Sequence, residues 1–295
     1  MPLDEGQFKF HGVTFGVDTL LPLTNIDFGD AELRTNDLAK PLTHGVALGR
    51  DLLGGFTITF EGLIKGGNPT YVGNHFRSLA SEWRSMLDTP RDSDWLYFCR
   101  YGRQLKILGR PGRILSSGST LEAEQGLGRW VAEFRASDPR VYHWDEDVTE
   151  SMTLGSIAEV DAFSIINEHS GPDYIDPGID LNRGEHTTVT NPGSASVPFT
   201  VTISGAIHKP TILVNGTYVT LDLNTDSDGA EIVYNSRTSM IYKNGDPQYG
   251  VLFGHSRLGG QVDPGSNYFF VCGERPSGAG PVTAEITFEP ADMSI

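Results

Sequence analysis

The chain has 295 residues and carries 22 basic against 38 acidic side chains, for a formal net charge of −16. With 38% hydrophobic and 20% charged residues it is too apolar and too weakly charged for a disordered chain, and its 35 Gly and 17 Pro demand many turns, so the composition indicates β structure around a real core. No apolar run approaches the roughly 18 residues of a membrane span, the N-terminus lacks the layout of a secretory signal, and Cys99 and Cys272 form neither a disulfide framework nor a CxxC metal site. The expectation is a cytosol-made protein without membrane insertion, holding two buried, reduced thiols.

Phe8, Phe10, Val13, Phe15 and Val17 recur at mostly two-residue spacing around Gly12 and Gly16, which predicts one strand with a bulge or bend. A second strand is expected over Asn25 to Leu33. Pro41 to Gly49 then holds enough Gly and Pro for a long loop or a loosely tethered hairpin. Phe56, Ile58 and Phe60 alternate with Thr57, Thr59 and Glu61, the pattern of a half-buried strand. Val72, Phe76, Leu79, Trp83 and Leu87 share one helical stripe, with Asn68 before Pro69 as the expected N-cap and Pro90 as the stop. His75 beside that stripe has no second ligand at metal spacing and reads as a solvated or core-edge residue.

Trp95 to Arg100 and Gln104 to Leu108 read as two strands joined around Tyr101, Gly102 and Arg103. Arg100, Arg103, Lys106, Arg110 and Arg113 fall there with no acid among them. Such a row suits either a solvated or subunit-facing hairpin or a nucleic-acid patch, and the hairpin is the simpler reading. A further strand begins at Trp130 and ends in the Asp138–Pro139 turn. Residues 1 to 145 carry 16 basic and 18 acidic side chains, whereas residues 146 to 295 carry 6 and 20. That asymmetry divides the chain into a domain of residues 1–145 and one of residues 146–295. The acidic half is expected to repel nucleic acid.

From Asp145 to Glu185 there are eleven acids against Arg183 alone, the expected connector with short strands. Beyond it, strands are predicted at Phe199 to Ser204, Thr211 to Val214, Tyr218 to Leu223, Ala230 to Asn235, Ser239 to Lys243, Gly250 to Gly254, Tyr268 to Cys272 and Thr283 to Glu289. Turns fall at Asn215–Gly216, Asp228–Gly229, Asn244–Gly245 and Pro264–Gly265. Short strands at this spacing indicate a β-sandwich or jelly roll.

Taken in order, FKFHGVTFG (Phe8 to Gly16), FRASDPRVY (Phe134 to Tyr142), NPGSASVPFTVTISG (Asn191 to Gly205), NGTYVTLD (Asn215 to Asp222) and VDPGSNYFFV (Val262 to Val271) resemble the distal tail proteins of long-tailed, siphovirus-type bacteriophages, the minor tail protein type of actinobacterial phages. The resemblance implies a mainly β fold: an N-terminal β-sandwich or barrel-like ring-forming domain with one α-helix, followed by a galectin-like β-sandwich. It also implies a structural virion protein, not an enzyme, that forms a hexameric ring between the tail tube and the tail tip. The implied partners are further copies of itself, the tail tube protein, and hub, tip or receptor-binding proteins. The tape-measure protein and DNA would pass through the lumen without specific binding. The alternative is a carbohydrate-binding sandwich for host glycans, with Tyr218, Tyr234, Tyr242, Tyr249 and Trp144 as available aromatics.

A ring needs two unlike patches on each subunit. The expected pair sets the hairpin carrying Arg100, Arg103, Lys106, Arg110 and Arg113, or the Pro41 to Gly49 loop, against Asp27, Asp30 and Glu32 of the neighbour. No cofactor, metal or catalytic residue is expected. Asn224, Asp226, Asp228 and Gly229 start like a calcium loop, but Asn235 stands where a bidentate Glu is needed. Gly254 to Leu258 starts like a nucleophile elbow, but Leu258 and the glycines after it break the motif. No carboxylate pair stands out as a glycosidase pair.

Overall fold

The computed structural model describes residues 2–35, 37–39, 46–47, 49, 51–66, 68–84, 94–117, 122, 124–144, 146–154, 186–215, 217–253, 256–274, 276 and 278–293. The fold is mainly β, built of several sheets and the predicted helix. It divides into two compact units, Met1–Asp145 with Met293–Ile295, and Glu146–Asp292.

The first unit contains β1 (Gln7–Phe10), β2 (Val13–Gly16), β3 (Leu23–Phe28), β4 (Leu33–Arg34), β5 (Leu38–Ala39), β6 (Val46–Ala47), β7 (Leu52–Leu53), β8 (Phe56–Lys65), α1 (Pro69–Arg84), β9 (Asp94–Arg100), β10 (Arg103–Ser117), β11 (Leu127–Ala136) and β12 (Val141–His143). One antiparallel path runs β2-β1-β9-β10-β11-β8-β3, with β12 also pairing β10. Phe15 of β2 lies 5.2 Å from Phe60 of β8, although a flat sheet would hold strands five steps apart at about 24 Å. The sheet is therefore rolled, its two ends brought round an aromatic core of Phe8, Phe10, Phe15, Phe60, Phe98, Phe134, Trp83 and Trp130, all fully buried.

The helix closes this core. Asn68 caps it as predicted, its side-chain oxygen accepting the Tyr71 N–H at 2.8 Å, and Val72, Leu79 and Trp83 turn inward. Residues 85–93, including Leu87 and Pro90, lie outside the described residues. Trp83 donates its indole N–H to the Glu133 carbonyl at 3.1 Å, so the ring is buried without an orphaned donor. Trp130 packs where Gly62 of β8 leaves room: a Cβ at position 62 would overlap its ring.

One expected strand is in fact a hairpin. The apolar spacing of two breaks to three between Phe10 and Val13, where His11 takes φ 49° and the chain reverses, pairing Phe8 with Phe15. The strand expected over Asn25 to Leu33 likewise divides into β3 and β4. Of the Pro41 to Gly49 loop, residues 41–45 and 48 lie outside the described residues, and Val46–Ala47 pair as β6 with β5.

The second unit contains β13 (Val148–Leu154), β14 (His186–Asn191), β15 (Phe199–Ser204), β16 (His208–Val214), β17 (Thr217–Thr220), β18 (Glu231–Asn235), β19 (Met240–Lys243), β20 (Asp246–Gln248), β21 (Gly265–Glu274) and β22 (Val282–Phe288). It is a sandwich of a six-stranded sheet, β13-β22-β15-β18-β19-β20, and a four-stranded sheet, β14-β21-β16-β17. Val201, Ile232 and Ile286 of the first and Val189, Ile212 and Phe269 of the second alternate inward and are fully buried. Asn244 and Gly245, at φ 52° and 85°, make the tight turn between β19 and β20. Of the strand predicted over Gly250 to Gly254, Gly254 lies outside the described residues, and Gly250 to Phe253 does not form a strand. Its Leu252 makes a single bridge to Leu221, and the segment crosses the edge of the four-stranded sheet. Of the connector, residues 146–154 are described and include β13; residues 145 and 155–185 lie outside the described residues.

Candidate assembly interface

The β9–β10 hairpin turns on two residues, Tyr101 and Gly102, both at positive φ (55° and 71°). This twist matches the strands it joins. Arg103, which the sequence placed in the turn, is the first residue of β10 and pairs Arg100. The Glu5 carboxylate accepts the N–H groups of Gly102 and Tyr101, each at 2.8 Å, and these bonds hold it below the usual carboxylate range. Nearby, Gln104 exchanges two hydrogen bonds with the Leu3 backbone. The N-terminal segment thereby clamps the hairpin.

The five basic residues of this hairpin occupy different environments. Arg100 lays its guanidinium over Phe28 at 4.8 Å and over Tyr101 at 5.0 Å, and its Nη2 donates to the Tyr101 hydroxyl at 3.2 Å. Arg103 sets Nη2 2.8 Å from the His143 ring nitrogen. Lys106 is buried, its ammonium 4.9 Å over the Trp95 ring. Arg110 and Arg113 are exposed on the outer face of the sheet, Arg113 donating to Glu133 at 2.6 Å. Thus Arg100 and Lys106 shape the hairpin from within, while Arg110 and Arg113 face outward.

Sequence reasoning missed the other half of this face. On β11 the outward residues are Leu127, Arg129, Val131, Glu133 and Arg135, alternating with buried Trp130, Ala132, Phe134 and Ala136. Their period of two was the available signal. Arg135 stands directly opposite Arg110, and among the described residues neither makes an ion pair. Like charges across a ladder are unfavourable. Arg113 and Arg129 are matched, by Glu133 and Glu122. Two strands further on, β3 and the residue run after it expose the acids Asp27, Asp30 and Glu32. The outer surface is thus basic at β10–β11 and acidic at β3.

Asp226 pairs His208 at 2.7 Å, and Asp228 accepts the Gly280 N–H at 3.0 Å. Ser256 donates to the Phe253 carbonyl at 2.6 Å; Gly254 and His255 lie outside the described residues. Among the described residues no three His, Cys, Asp or Glu side chains form a metal-binding group, and no helix is long and apolar enough to cross a membrane. Cys99 is buried and Cys272 half-buried, both unbridged, and burial pushes the Cys272 thiol up to about 11. Of the aromatics available for a sugar platform, Tyr234 is fully buried with its hydroxyl on the Gly259 N–H, and Trp144 packs on Tyr97 of the first unit.

No family model matches the chain, and no curated protein matches it. Among solved structures it is similar to the Dit protein (gp 19.1) of phage SPP1, described as a hub of the adsorption apparatus of phages infecting Gram-positive bacteria. The TM-score is 0.62 at 11% identity, over 96% of this chain and 98% of that one. Chains of the phage p2 baseplate in its activated conformations with Ca and with Sr align at TM-scores of 0.46 each and 11% and 10% identity. They cover 95% and 96% of this chain and 97% of each of those.

Proposed function

We propose that the chain is a structural subunit of a bacteriophage tail, the distal tail protein of a siphovirus-type phage of an actinobacterial host. In this reading the first unit assembles into a hexameric ring at the end of the tail tube, and the second unit is a galectin-like sandwich. The ring joins the tube protein to tip or receptor-binding proteins, and the protein performs no catalysis. The observation that carries this reading is the likeness to SPP1 Dit over 96% of this chain and 98% of that one.

The surface chemistry supports it. A head-to-tail contact that closes needs two unlike patches on one subunit, and the first unit carries a basic face and an acidic edge. Within the basic row, Arg110 and Arg113 make the contact, while Arg100, Arg103 and Lys106 hold the hairpin that presents them. A conduit for DNA and the tape-measure protein works best with a neutral or acidic wall, so the arginines belong between subunits and not in the lumen.

The test is location. Antibodies raised against the purified chain should decorate one end of the tail, where it meets the tip, in negative-stain images of the virions that carry it. Label on the capsid, along the whole tail, or on no part of the virion would reject the reading.

A further inference from the structure

The helix α1 buries Val72, Leu79 and Trp83 and turns its other side to solvent. On that side Arg77, Ser81 and Arg84 are exposed and Ala80 is buried, at steps of three and four that place all of them on one stripe. Among the described residues these four line an open depression of about 290 Å³. Ala80 contributes a methyl group to it, and Arg77 and Arg84 contribute long aliphatic stems that end in charge.

The charge of this stripe is unmatched. Arg77 donates to the Asn74 side-chain oxygen at 3.3 Å, and among the described residues neither it nor Arg84 meets a carboxylate. Glu82, the helix's one acid, is turned to His11, 3.7 Å away. Acids are not in short supply: the chain carries 38 of them against 22 bases, and Arg113, Arg129 and Arg140 of the same unit are paired with Glu133, Glu122 and Asp138. The negative end of the helix dipole accounts for Arg84 in the last turn but not for Arg77, about 10 Å earlier along the axis.

We infer that this helix face docks an acidic segment of a partner protein, an apolar side chain entering the depression between carboxylates that meet Arg77 and Arg84. The charges are complementary, and the Ser81 hydroxyl adds a donor for a carboxylate or a backbone carbonyl. The size also fits. At about 290 Å³ the depression lies below the roughly 300–1,000 Å³ of small-molecule pockets and is open, so it suits a side chain from a segment lying across it and not an enclosed ligand. Two arginines in a chain of net charge −16 are a poor footing for duplex DNA, whose binding needs many phosphates neutralised together. The contact is separate from the one between subunits, since it uses neither the β10–β11 face nor the acids of β3.

Fluorescence anisotropy of a labelled peptide of glutamates around a central leucine, titrated with the full chain at physiological salt, tests this. The wild type should bind it, and Arg77→Ala/Arg84→Ala should weaken binding roughly tenfold or more. Arg77→Glu/Arg84→Glu should exchange the acidic peptide for one of lysines around leucine. Arg237→Ala/Lys243→Ala removes the same charge from the second unit and should bind as the wild type does. Arg77 and Arg84 are exposed and alanine suits a helix, so circular dichroism of the alanine variant should match the wild type. A wild type that does not bind the peptide overturns the proposal, and so does equal weakening in the second-unit variant, which would mean diffuse attraction. Tighter binding of duplex DNA, lost in Arg77→Ala/Arg84→Ala, would overturn it by assigning the face to nucleic acid. Altered sedimentation of that variant would overturn it by assigning the face to a contact between copies. None of these outcomes alters what the virion labelling reads.

Discussion

Asn267 is a polar residue buried among apolar neighbours on β21, and its side chain organises the turn that precedes the strand. Its amide donates to the carbonyls of Gly265 at 2.7 Å and Asp263 at 2.8 Å, while its oxygen accepts the Asp263 N–H at 2.8 Å and a bond from the Asn215 amide. Asn191 does the same on β14, donating to Ala195 and Val262 and accepting from Gly193. Replacing Asn267 with Leu keeps the branched outline but strands several buried donors and acceptors, so Asn267→Leu should destabilise the second unit by about 3 kcal/mol. Urea unfolding followed by circular dichroism would show it as a lower midpoint at unchanged slope; an unshifted midpoint would mean that water satisfies those groups.

The two asparagines mark the limit of what the sequence conveys. Asn68 was legible as a cap because proline follows it and a helical stripe begins at Val72. Asn267 was not, because its partners, the Asn215 side chain and backbone atoms on β14 and in its own turn, are brought together by tertiary folding. Arg135 shows the same limit: its alternation with buried residues was readable, but its position opposite Arg110 depends on the β10–β11 register.

At the scale of elements, the helix was legible because a 3.6-residue stripe admits one reading, whereas the period of two was ambiguous wherever a tight turn preserves it. Phe8 to Val17 reads as one strand because a two-residue turn barely disturbs the alternation; only the step of three at Val13 betrays the hairpin. The Tyr101–Gly102 turn, by contrast, was visible from its glycine, but its clamp by Glu5 was not, since the two lie 96 positions apart. That clamp makes a testable pH dependence. A carboxylate whose folded value lies below its unfolded one adds stability that is complete above the ordinary carboxylate range and is lost as pH falls through the lowered value. Glu5→Gln should therefore melt below the wild type at neutral pH, and the gap should close in acid. A gap that is equal at both pH values would show that Glu5 acts through packing alone.

At the scale of the molecule, charge is unevenly shared: the 6 basic and 20 acidic side chains after residue 145 all lie in Glu146–Asp292. Self-repulsion of that density destabilises a compact state and is relieved by salt, while the first unit, with 16 basic and 18 acidic groups, has little to relieve. The chain offers a means of separating the two. All four tryptophans, Trp83, Trp95, Trp130 and Trp144, precede residue 146, so indole fluorescence follows the first unit alone, whereas calorimetry follows both. Raising the salt from low to physiological strength should lift a calorimetric transition that fluorescence does not see. A relief of about 1 kcal/mol corresponds to roughly 3 °C in a unit of this size. The fluorescence midpoint should stay nearly fixed. If both probes moved together, the two units would be unfolding as one body, and the acidic half would be drawing its stability from the first.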